Sequence, residues 1–120
     1  MSRSGTDAAA DAALAAAAAL LAAADGADPD AVRNHLHSAH PTALGGFDEH
    51  LEHLRTDAGK GRAAALQALH PVKGDAQAAA RVMDAVLDVG GGAGMLAPAQ
   101  ASAAREVCET LNLSPTRFGL

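Results

Sequence analysis

Apolar residues recur along this chain at helical spacing, and no segment alternates convincingly with a period of two. Leu14, Ala18 and Leu21 mark one stripe inside an alanine-rich run, and Phe47, Leu51 and Leu54 mark another at i, i+4, i+7. Val82, Met83, Val86, Leu87 and Val89 form a third, and Ala104, Val107, Cys108 and Leu111 a fourth. The residues between the stripes predict where helices start and stop. Thr6 is placed to cap a helix over residues 7–24, which Gly26 terminates. Asp28 caps a second helix with Pro29 at its first position, and that helix stops before Pro41. Gly45-Gly46 reads as a break before the Phe47 stripe, and a loop around Asp57 to Gly59 precedes a short helix carrying Leu66 and Leu69. Pro71 closes that helix. Asp75 caps a fifth, which three glycines from Gly90 should end near Val89. Pro98 opens the next helix, and Ser114-Pro115 caps a terminal turn that returns Phe118 and Leu120 to the core. The expectation is an all-α fold: a single compact domain of six to seven helices over residues 7–120, behind a flexible polar tail over residues 1–6.

The pattern also repeats. Moved forward by 68 positions, Leu14, Ala18 and Leu21 fall on Val82, Val86 and Val89. Ala24-Asp25-Gly26 then falls on Gly92-Ala93-Gly94, and Asp28-Pro29-Asp30 on Leu96-Ala97-Pro98. Each copy reads as helix, glycine-containing turn, proline near a helix start, second helix, so two pseudo-repeated helix–turn–helix units are expected.

Composition changes this picture in one respect and narrows the function. Of the 120 residues 49% are hydrophobic but only 2% aromatic, with no Trp or Tyr. Much of the apolar content is alanine, which buries little area but is the strongest helix former. Helices that approach one another closely follow from it. A net charge of −5, no Lys/Arg run and only two Phe speak against nucleic-acid binding. The longest apolar run, Ala12 to Ala24, falls short of the roughly 20 residues that span a bilayer. The start of the chain makes a poor signal peptide. A cytoplasmic protein without direct membrane insertion is expected. The single Cys108 cannot form an internal disulfide and reads as a small buried hydrophobe.

Candidate chemistry gathers first at Asp25, Asp28 and Asp30. Capping accounts for Asp28, and the positive end of the second helix dipole favours Asp30. Asp25 is harder to explain, since an anion just past a helix C-terminus opposes the dipole by about 0.3–1 kcal/mol; either it reaches across the turn to backbone N–H groups, an ordinary local motif, or it faces a cation. The three carboxylates are therefore a candidate for a weakly bound divalent cation or for an acidic docking turn, although their spacing is not that of an EF-hand. An alternative is a zinc or other transition-metal site from His37, His40, His50 and His53, because histidines at i, i+3 share a helix face. His35 and His70 stand outside it; no cysteine completes it. The run Gly90-Gly91-Gly92-Ala93-Gly94 lacks the preceding strand and following Lys-Ser/Thr of a phosphate loop, and reads as a turn. Ser38, Ser102 and Ser114 have no nucleophile elbow, so no catalytic constellation is recognised.

Residues Val86 to Leu96, with Arg105-Glu106-Val107-Cys108-Glu109-Thr110-Leu111-Asn112-Leu113-Ser114-Pro115-Thr116-Arg117-Phe118-Gly119-Leu120, resemble the C-terminal half of the TerB tellurite-resistance family. Gly61 to Leu66, Val72-Lys73-Gly74-Asp75 and the first acidic turn at Ala22 to Gly26 add to the resemblance, which covers about residues 12–120. It implies a TerB-like helical module without enzymatic activity, acting in tellurite resistance and stress response. It also implies protein partners, an integral membrane tellurite-resistance protein among them, at the inner membrane face. The family carries paired acidic turns, suggested to bind a divalent cation or a partner. Here Asp25 matches, whereas Ala93, Gln100, Ala31 and Val32 stand at positions the family fills with acids.

Overall fold

The computed structural model describes the backbone of residues 5–120 and the side chains of residues 8–120 other than Ala93. Its described residues are all-helical, with no strand among them. Six helices of ten or more residues are α1 (Gly5–Ala23), α2 (Pro29–Ala39), α3 (Leu44–Thr56), α4 (Ala58–Gln67), α6 (Ala76–Val89) and α7 (Pro98–Thr110), and α5 (His70–Lys73) is a single turn. Short 3₁₀ turns follow α2, α6 and α7. No described helix is long and apolar enough to cross a membrane. Of the expected tail, residues 1–4 lie outside the described residues, and α1 already includes Thr6, which is therefore not its cap.

The centre of the fold is α1. From Ala13 to Ala22 every residue is buried, none more than 8% exposed. Helices α3 to α7 all pack on it. Seven of these ten residues are alanines, whose methyl side chains let neighbouring backbones come close, and Leu14, Leu20 and Leu21 fill the space between, while intrinsic propensity keeps the segment helical. Larger side chains come from the surrounding helices. Phe47, Leu36, Leu69, Met83, Val107 and Leu111 are fully buried around it.

Local chemistry sets most boundaries as expected. The Asp28 carboxylate accepts from the N–H groups of Asp30 (3.1 Å) and Ala31 (3.2 Å), with Pro29 at the first helical position. Asp75 accepts from Ala78 N–H at 3.0 Å. Helix α6 ends as its glycines demand: Gly91 N–H bonds Asp88 C=O, Gly92 N–H bonds Leu87 C=O, and Gly91 has φ +90°. Helix α7 closes the same way with Asn112 at φ 62°, its N–H on Glu109 C=O and that of Leu113 on Cys108 C=O. Phe118 and Leu120 return to the core.

Four local expectations fail for physical reasons. Gly45-Gly46 does not break the chain but lies inside α3, where a β-carbon on Gly46 would come within 3.0 Å of the Ala15 methyl. The glycine there provides room for α1. The loop at Asp57 to Gly59 contracts to Asp57 alone, which ends α3 and caps α4 through Lys60 N–H at 3.1 Å. That tight link forces α3 and α4 together, and a β-carbon on Gly61 would lie 2.7 Å from the Leu54 backbone. Pro71 opens α5 rather than closing α4, as a proline in the first turn can. Ser114 occupies the cap position of the last turn, but its hydroxyl makes no capping bond.

Candidate functional site

Asp25, Asp28 and Asp30 all project from the surface at the α1–α2 turn, and all three are exposed. Their surroundings differ. The Asp28 carboxylate is engaged by the two N–H groups it caps. Asp30 sits one turn before Arg33, and its charge adds to the hold on that guanidinium's proton. The stronger hold comes from Asp48 on α3, which takes both Nε and Nη2 of Arg33 at 3.0 Å. This forked pair ties α2 to α3 beneath the acidic turn. Asp25 makes no hydrogen bond or ion pair among the described residues.

No three His, Cys, Asp or Glu side chains among the described residues come together in a group able to hold a metal ion. The carboxylates of the turn therefore do not converge as a cation cage. The four-histidine alternative does not assemble either. Leu36 and Leu51 point inward, and each helical residue is turned about 100° from the one before, so His37 and His50 face elsewhere. His37 and His53 are exposed, and His40 and His50 are half-buried. Burial depresses the proton affinity of His50, with His53 adding to the effect and Glu49 opposing it. His35 instead pairs its Nε2 with Asp88 Oδ2 at 3.0 Å, joining α2 to α6.

The acidic turn borders a surface depression. A hollow of about 430 Å³ runs past Asp25, Gly26 and Pro29 to Leu51, Leu54 and Arg55 on α3. A second, of about 400 Å³, shares Ala23, Ala24 and Leu54 with the first and continues between α4 and α7. Arg62 and Glu106 form an ion pair on its rim. Neither lining includes a histidine or cysteine, and Ser102 in the second shares it with Glu106, whose carboxylate is engaged by Arg62. The first hollow thus presents a carboxylate, Asp25, and a guanidinium, Arg55, beside small alanine side chains, with Leu51 and Leu54 nearly buried beneath.

One residue that holds this corner is not apparent from the sequence pattern. Gln100, 8% exposed, accepts the Ala97 N–H through Oε1 at 3.0 Å and donates from Nε2 to the Leu21 carbonyl at 3.5 Å. It thus binds the start of α7 to the last turns of α1. A β-carbon on Gly26 would lie 3.5 Å from the Ala97 methyl, so the α1–α2 turn rests against the α7 N-terminus. The i, i+3 relation of Ala97 and Gln100 was a legible signal for the first bond; nothing local signals the second. Comparison with known proteins gives no match, whether with family models, curated proteins or solved structures.

Proposed function

We propose that this chain is a non-enzymatic, TerB-like interaction module of the stress and tellurite-resistance type, and that its α1–α2 corner docks a protein partner. The observation that carries the reading is Asp25, an exposed carboxylate with no hydrogen bond or ion pair among the described residues, on the edge of a hollow that also holds Arg55 and several alanines. Lying between the end of α1 and the cap of α2, Asp25 adds no bond among the described residues and is open to an external cation. A partner segment with an apolar face and a basic residue at its edge fits that combination. An integral membrane protein of the tellurite-resistance type, met at the inner membrane face, is the partner class that the resemblance suggests.

Two further features support the TerB-like plan. The turn after α1 has Gly26 at φ +82° and that after α6 has Gly91 and Gly92 at positive φ, and a proline opens the helix that follows each. We read the two units as a degenerate pseudo-repeat whose prolines correspond with an offset one residue longer than the hydrophobic stripes do. Gln100 then fits as the residue that turned a former acidic position into an internal clamp.

The test is a variant with Asp25, Asp28 and Asp30 all changed to Asn, used beside the wild type as bait in quantitative affinity capture from the native host. Asparagine caps a helix about as well as aspartate, so stability is expected to hold. A partner retained by the wild type and lost by the triple variant, at equal unfolding midpoints, is the expected outcome. Equal retention by both proteins would remove the assignment.

A further inference from the structure

The structure separates the described sulfur atoms sharply. Met83 on α6 and Cys108 on α7 have no exposed surface, whereas Met95 is 76% exposed. Met95 ends the 3₁₀ turn between α6 and α7, held there by its N–H on the Gly92 carbonyl at 3.0 Å. It is the one exposed large hydrophobic side chain among the described residues. The turn approaches it from the glycine side, and even a β-carbon built on Gly91 would meet only the Met95 Cβ, at 3.6 Å.

We infer that Met95 is a surface modification site, at which a peroxide transfers oxygen to the thioether while the folded domain stays intact. A sulfur lone pair attacks one peroxide oxygen; the S–O bond forms as the O–O bond breaks. The sulfur loses two electrons to become a sulfoxide, and hydrogen peroxide is reduced to one water that keeps both protons. Nothing in the fold depends on the Met95 side chain remaining apolar, because it is not part of the core. The same reaction at Met83 would place a polar S=O group among Val82, Val86 and their neighbours, and so requires prior unfolding. Cys108 is shielded as well: burial pushes its thiol up to about 11, leaving little thiolate to react near neutral pH. This site stands independently of partner docking.

The experiment treats the folded protein with dilute hydrogen peroxide and follows mass gain by peptide mass spectrometry. Cleavage before Asp84 and Asp88 places Met83 and Met95 on different peptides. The expected result is sulfoxide at Met95 forming faster than at Met83 by on the order of tenfold or more, with the unfolding midpoint unchanged. In denaturant the two rates should converge, and the Met95→Leu variant should lose oxygen uptake on the peptide that begins at Asp88, whatever Met1 takes up on its own peptide. Equal rates at Met83 and Met95 in the native protein would overturn the assignment, as would Cys108 oxidising first or Met95 failing to react.

Discussion

The side-chain amide of Gln100 reaches the main-chain carbonyl of Leu21 across 79 positions of sequence, at 3.5 Å. Its other end accepts the Ala97 N–H, so a single buried amide uses both its donor and its acceptor on different helices. A carboxylate could keep the second bond but has no proton for the first. Gln100→Glu is therefore expected to destabilise the fold by about 1–3 kcal/mol at neutral pH, the usual cost of an unpaired buried polar group. The loss should shrink at acidic pH, where a protonated carboxyl can donate again. Denaturant unfolding at both pH values measures it, and a neutral effect would show that the clamp is not engaged.

Two glycines on α4 make opposite predictions. At Gly61 a methyl would collide with the Leu54 backbone at 2.7 Å, so Gly61→Ala must push α3 and α4 apart, at a cost of about 1–3 kcal/mol. At Gly59 the nearest atom is Asp57 Oδ1 at 3.7 Å, an ordinary contact. Gly59→Ala should stabilise by a few tenths to about 1 kcal/mol through helix propensity alone. Unfolding curves for the two variants should move in opposite directions.

His50 gives the fold a pH dependence whose sign is fixed. Desolvation depresses its proton affinity in the folded state below the ordinary value of 6.5, so the unfolded chain binds the proton more readily. Its contribution is complete above about pH 6.5 and declines as pH falls toward the folded-state value. Urea midpoints between pH 7.5 and 5.5 should fall less steeply for His50→Asn than for the wild type. Parallel curves would contradict the burial of that ring.

Much of this architecture was legible in the sequence because short-range chemistry fixes it. Asp28 and Asp75 cap where a carboxylate should, glycine ends α6, and proline opens α2 and α7. What stayed hidden was determined at long range. The alanine run shows one sparse stripe, Leu14, Ala18 and Leu21, and nothing in it announces burial on all sides. Gly45-Gly46 looks like a break until the approach of Ala15 to Gly46 gives a reason for glycine within the helix. At the candidate site the cap role of Asp28 and the exposure of Asp25 follow from local arguments. The scatter of the histidines over α2 and α3, and the bond from Gln100 to Leu21, depend on how helices pack.

Helix α1 is a central helix closed off by its neighbours, with the acidic corner left outside. Amide hydrogen exchange, resolved residue by residue, tests both halves at once. Amides from Leu14 to Ala22 should open only with global unfolding and be the slowest in the protein, while those from Asp25 to Ala27 exchange quickly. Exchange across α1 as fast as that of the peripheral α2 would contradict it.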